Sequence, residues 1–154
     1  MLIGILIAVL VVPAVISLVR WSRRARAGAR RAGDDLGELQ RSFLGGVMSR
    51  AVITSGPLVR LDVLDGGVRL QGTIWSRWLV PAWEARYDEL AIAERVTTPF
   101  SRTAVWLRLR GSEDGIGFLS SYGEEILRLL EKHDVPVNRS VRQVRRVAEL
   151  YREP

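Results

Sequence analysis

The sequence predicts an α+β chain: an N-terminal transmembrane helix, a bent antiparallel β-sheet closed by an amphipathic helix, and a terminal basic helix. Three observations carry that prediction. Residues 1–19 contain no charged side chain, and the twelve that follow hold six arginines. From residue 57 the apolar residues alternate with a period of two, broken by turn signals. After residue 120 the period becomes that of a helix.

At about 1.5 Å per residue, an apolar helix of this length covers close to 30 Å, the thickness of a hydrocarbon core. A secretory signal carries its cations before the apolar run and small residues after it; here Arg20 follows the run. A helix apolar on every face also exceeds what a small core can cover. Pro13 is tolerated in a span, and Trp21 falls at headgroup level. Residues 1–21 are therefore expected to form a transmembrane helix. Arg20, Trp21, Arg23, Arg24, Arg26, Arg30 and Arg31 form the expected membrane-interface set. Cations close to a span stay on the cytoplasmic side. The expected placement is single-pass in the cell inner (plasma) membrane, N-terminus outside and C-terminal domain cytoplasmic.

A net charge of +6 and a pI near 10.9 would ordinarily suggest a nucleic-acid partner. Residues 20–31 account for the whole of that charge, because residues 32–154 hold seventeen basic and seventeen acidic groups. The basic balance is thus a juxtamembrane feature, worth on the order of 1 kcal/mol per charge near an anionic leaflet. The lipid bilayer is the expected partner, together with a membrane protein, and no nucleic acid is expected. With no cysteine and His133 as the single histidine, neither a disulfide framework nor an ordinary zinc site can be assembled, and no metal or cofactor is expected.

Residues 22–50 read as a basic juxtamembrane segment and linker. Leu36, Leu39, Phe43 and Leu44 have helical spacing there, and Gly45 and Gly46 would end that short helix. Residues 51–137 read as a β-domain with its closing helix. Residues 58–64 and 68–74 alternate around Asp65, Gly66 and Gly67, a hairpin signal. Pro81 demotes the next apolar run to an edge or bulged strand. Residues 91–97 and 102–110 read as two more strands, with Ala104 and Trp106 on one face and Val105 and Leu107 on the other. A short strand follows Gly115. Ser121 and Glu124 have capping-box spacing before a helix with Ile126, Leu127, Leu129 and Leu130 on its apolar side. Residues 138–154 read as a basic helix with Val141, Val144, Ala148 and Tyr151 on one side.

The strand order, the stretch from Val80, Pro81, Ala82 and Trp83 into Tyr87, Asp88, Glu89 and Leu90, and the closing helix that runs to His133 and Val137 resemble the small bacterial pleckstrin-homology-like and GRAM-like membrane-associated domains. The resemblance spans about residues 57–137. It implies a non-enzymatic scaffold that contacts lipid, peptide or a partner protein. The seventh strand of such a domain would have to come from residues 47–54. Phosphoinositide binding does not transfer, because Asp65, Gly66 and Gly67 stand where the family's basic loop would be.

Candidate chemistry is sparse. Glu84, Asp88, Glu89 and Glu94 cluster in sequence, but no histidine or cysteine accompanies them, so they read as a solvated face and not as acid–base pairs. Gly115 and Gly117 lack the third glycine and the βαβ frame of a phosphate loop. Trp75, Arg77 and Trp78 place two indoles and a guanidinium between strands. They fill the sheet's core or form an interfacial, partner-binding loop. Arg142, Arg145 and Arg146 on the terminal helix are the other candidate contacts with lipid or a partner. The expected function is a membrane-anchored binding module. An accessory subunit of a larger membrane complex is the alternative, and no catalytic residue is assigned.

Overall fold

The computed structural model describes residues 36–49, 53–54, 56–74, 76, 80, 82–98, 103–112, 115–144 and 146–151. They form eight strands and one α-helix: β1 (Leu39–Met48), β2 (Val59–Leu64), β3 (Gly67–Gly72), β4 (Trp83–Arg86), β5 (Leu90–Thr97), β6 (Thr103–Leu109), β7 (Gly115–Leu119), α1 (Gly123–Glu131) and β8 (Val137–Gln143). The strands hydrogen-bond in the order β4-β3-β2-β1-β7-β6-β5-β8.

β1 forks. Its first part pairs antiparallel with β2, from Leu39 opposite Leu64 to Gly45 opposite Val59. Its last three residues pair with β7, from Gly46 opposite Leu119 to Met48 opposite Gly117. The fork needs glycine. A Cβ on Gly45 would overlap the Leu119 carbonyl oxygen and stand 2.8 Å from the Phe118 ring. The fork divides the sheet into a first half, β4-β3-β2-β1, and a second half, β1-β7-β6-β5-β8.

The two halves face each other across the main core. Leu61, Val63, Val68 and Leu70 from the first half meet Val105, Leu107, Ile116 and Phe118 from the second, all at 0–1% exposure. One helix closes this core. Ile126, Leu127 and Leu130 of α1 are fully buried in it, each contributing roughly 1.5–3 kcal/mol of apolar burial. Glu124 and Glu125 sit in the first turn, where the helix dipole favours acids. Asp134 ends the helix in the left-handed conformation (φ 60°), and the Val135 amide donates to the Leu130 carbonyl at 3.2 Å. Asp tolerates that conformation better than most residues.

A second cluster lies on the outer side of the second half. Met48, Val96, Ala104, Trp106 and Leu119 are covered there by Val144, Leu150 and Tyr151. The cover is the C-terminal segment, β8 followed by a 3-10 turn at Val147–Tyr151. β8 pairs with β5 in parallel, the sole parallel pairing among the described strands. Arg139 of β8 ties this segment to the helix through a two-pronged bond to Glu131 at 2.9 and 2.7 Å, which holds the Glu131 carboxyl below the usual carboxylate range.

The expected fold class is corrected by this architecture. The sheet is mixed, not an antiparallel roll, and it carries the fold with one nine-residue α-helix among the described residues. The terminal basic helix is instead a strand and a 3-10 turn, because Val137–Gln143 finds a free sheet edge on β5 and Val144, Leu150 and Tyr151 find an apolar face to cover. The short helix expected near Leu39 and Phe43 is β1, which lies inside the segment read as linker. No helix among the described residues is long and apolar enough to cross a membrane. The expected span at residues 1–21, with Arg20, Trp21, Arg23, Arg24, Arg26, Arg30 and Arg31, lies outside the described residues. The described structure thus corrects the expected single-pass inner-membrane placement and its orientation, for which it supplies no spanning helix.

Candidate binding cleft

The fork of β1 opens a cleft of about 420 Å³ on the surface. Leu44, Gly45 and Gly46 of β1 form one wall, and Gly56 and Pro57 lead into β2 beside it. Thr103 at the start of β6 and Leu119, Ser120 and Ser121 after β7 complete the lining. The cleft exists because β1 leaves β2 at Gly45 and joins β7 at Gly46, so the two sheet halves diverge there.

Among the described residues that line the cleft, none is charged. It offers three hydroxyls, backbone groups of three glycines, and apolar surface. The Ser120 hydroxyl accepts from the Tyr122 amide at 3.2 Å. Ser121, expected to cap α1, does not: the N-cap residue is Tyr122, without a side-chain cap bond. Leu44 is 56% exposed, and Leu58, beside Gly56 and Pro57, is 38% exposed. Large apolar side chains left in water at a concavity mark a surface that meets something. Tyr122, 54% exposed, adds an aromatic ring 5.9 Å from that of Phe43.

The expected site residues are distributed differently. Trp75, Arg77, Trp78 and Arg145 lie outside the described residues. Arg142 bonds the Glu149 carbonyl at 3.2 Å and lies 3.7 Å from Glu94, and Arg146 is exposed near the C-terminus. Neither is among the described residues that line the cleft. Trp83 and Trp106 are core residues. Gly115 and Gly117 make room for the Trp106 ring, whose atoms a Cβ at either residue would meet at 2.7 and 3.2 Å. The acid cluster is dispersed over separate partners: Glu84 on Arg69, Asp88 on Arg86, Glu89 on the Arg86 amide, and Glu94 near Arg108. Among the described residues no group of three metal-ligating side chains comes together.

Charge on the described surface is largely self-paired. Arg41 meets Glu125 at 2.8 Å, Arg95 meets Glu124 at 2.8 Å, and Arg60 meets Asp62 at 3.0 Å. One row crosses four strands in register: Ser42, Asp62, Arg69 and Glu84. Asp62 is buried and accepts from Ser42, from Arg60 at 3.1 Å and from Gln71 at 2.8 Å. His133, at the end of α1, stacks on Tyr87 with centroids 4.2 Å apart and bonds Gln40 at 3.1 Å. Gln40 in turn donates to Asp65 at 2.7 Å. The Tyr87 hydroxyl donates to the Leu64 carbonyl, and burial, with Asp65 second, pushes its pKa well above the usual phenol value. This network fastens the helix end to the first sheet half.

Both sheet edges are partly blocked. On β4 the Arg86 amide donates to the Glu89 carboxylate at 2.8 Å. On β8 the Ser140 amide donates to Asn138 Oδ1 at 3.0 Å. An amide spent on a neighbouring side chain cannot template an added strand. Among the described residues the cleft is an open concavity, and sequence reasoning missed it. Its signal, the Gly45-Gly46 pair, was read as a helix stop, whereas the pair allows a strand to pass from one sheet half to the other.

No protein-family model matches the chain, and no curated protein matches it. Among solved structures it is similar to the crystal structure of the C-terminal domain of an unknown protein from Leishmania infantum, with a TM-score of 0.47 and 15% sequence identity. The match covers 77% of this chain and 95% of that chain. A likeness at that level carries no argument about function.

Proposed function

We propose that this domain is a non-enzymatic binding module that takes an uncharged, largely apolar stretch of a partner polypeptide in the cleft at the fork of β1. The observation that carries the reading is the described lining: apolar surface, hydroxyls and backbone groups, with no charge among those residues, beside the exposed Leu44 and Leu58. A phosphate or carboxylate ligand would find no cation among the described lining residues. An acyl chain would leave the Thr103, Ser120 and Ser121 hydroxyls unmatched, and a polypeptide uses both kinds of surface. The count of seven described strands before a closing helix supports the pleckstrin-homology-like resemblance, with β1 (Leu39–Met48) as the further strand in place of the residues 47–54 expected to supply it. An anionic surface is the weaker ligand because most described arginines are already paired with acids.

A displayed library of random peptides, selected against the full chain, tests this. Enrichment of uncharged apolar peptides is expected, with loss of binding in Gly56→Phe, which plugs the cleft where a Cβ meets only the Leu58 side chain at 3.7 Å. Enriched peptides that are charged, or that bind the plugged chain equally well with its melting temperature unchanged, would overturn the reading.

A further inference from the structure

Away from the cleft, the outer side of the second sheet half is covered by the chain's own C-terminal segment, and three features of that contact are unusual. The pairing of β8 with β5 is parallel in a sheet whose other described pairings are antiparallel. It is also broken. Glu94 stands opposite Asn138 and Val96 opposite Arg142, so β8 spends four residues where β5 spends two, and Arg139, Ser140 and Val141 bulge outward. Val141 is 48% exposed as a result.

Beneath the segment, buried polar atoms lack partners. Glu94 Oε1 and Trp106 Nε1 have no hydrogen bond among the described residues, although Glu94's side chain is only 7% exposed. The nearest described cations, Arg108 at 3.5 Å and Arg142 at 3.7 Å, lie beyond good hydrogen-bond distance. Buried polar groups are ordinarily satisfied, so a contact that strands these atoms is a poor match for its own surface.

We propose that the β5 edge and the Trp106 face form a second recognition surface, for an extended polypeptide carrying a basic residue and an apolar anchor, and that residues 137–151 occupy it as a self-ligand. The segment itself specifies the chemistry. Arg142 stands where a cation serves Glu94, and Leu150 and Tyr151 stand where apolar anchors cover Trp106. A partner strand without the two-residue bulge would pair with β5 continuously, bring its cation within bonding distance of Glu94, and offer an acceptor to the indole N–H. The proposal does not depend on the cleft, and Gly56→Phe leaves this surface intact.

Two labelled peptides test it on the full chain: one with the sequence of residues 137–151, the other the same without Ser140 and Val141. The host carries Arg142→Ala, which loosens the segment in cis. Arg142→Lys, which keeps the charge, serves as the host if the first does not melt cooperatively. Because the chain has no cysteine, Thr97→Cys with Gln143→Cys, opposite each other in register, locks the segment in place when oxidised. The bulge-free peptide is expected to bind the loosened host at least tenfold tighter than the native one. Neither should bind the oxidised double-cysteine form of that host, and reduction should restore binding. Equal or tighter binding of the native peptide would overturn the proposal in favour of exchange of this segment between two copies of the chain. Binding to the locked form, or none to the loosened one, would overturn it outright.

Discussion

Trp106 and Tyr151 meet edge to face on the outer side of the second sheet half, ring centroids 5.0 Å apart and planes at 86°. The Tyr151 hydroxyl donates to the Gly115 carbonyl at 3.3 Å, a long bond, while its ring is buried in the cluster around Trp106. Tyr151→Ala should therefore cost about 3 kcal/mol of stability in urea denaturation. Tyr151→Phe should cost less than about 1 kcal/mol. If the alanine and phenylalanine variants lose equal stability, the ring is not the anchor.

The glycines differ in what surrounds them. Gly45→Ala puts a methyl group into the Leu119 carbonyl oxygen and the Phe118 ring at the fork. It should lose about 2–3 kcal/mol, as overpacked sites do. Gly56→Ala meets only the Leu58 side chain at 3.7 Å and should be neutral or up to about 1 kcal/mol stabilising, by narrowing the unfolded ensemble. Chemical denaturation of the two variants side by side measures the contrast.

Tyr87 makes stability depend on alkaline pH. Its phenol pKa is raised in the folded chain, first by burial and then by Asp65. A raised pKa means that the neutral form is the one the fold favours. Its contribution is fully present below the unfolded phenol value of about 10 and is lost as pH rises through the folded value. The melting temperature of the parent chain should fall more steeply above about pH 10 than that of Tyr87→Phe. Parallel curves would show that Tyr87 ionises as freely in the fold as in the unfolded chain.

Asp62 is buried on a strand face with three donors aimed at it: Ser42, Arg60 and Gln71. Asp62→Ala leaves those donors without an acceptor and should cost about 3 kcal/mol. Asp62→Asn keeps one acceptor oxygen and should cost less. Guanidinium titration of both variants decides the point, and a loss under about 1 kcal/mol for alanine would mean that water replaces the carboxylate.

Local patterns were legible where partners are near in sequence. The hairpin of β2 and β3 turns at Asp65 and Gly66 as the alternation predicts, and β4 lies at a sheet edge as Pro81 predicts. The two faces expected of β6 are those observed, with Val105 in one cluster and Trp106 in the other, and both are buried. What failed depends on distant partners. Leu36, Leu39, Phe43 and Leu44 fit helical spacing, yet β1 is a strand because β2 and β7 supply hydrogen bonds on either side. Likewise Val144 and Tyr151 suit one helix face, but Trp106 beneath them selects a strap. The cleft was illegible for the same reason: Leu44, Gly56, Thr103 and Ser120 share nothing in sequence but meet at the fork.

The fork also orders events during synthesis. β1 emerges before β2, β3 and β4, so the first sheet half can begin to assemble while its last three β1 residues have nothing to pair with. Their partner is β7, and Gly46 waits for Leu119. Such a long-range pairing closes slowly, since a wide loop must be ordered before any contact rewards it. A ribosome-bound chain ending before residue 115 would thus hold Val47 and Met48 without their partners Phe118 and Gly117, apolar residues open to chaperones until β7 arrives.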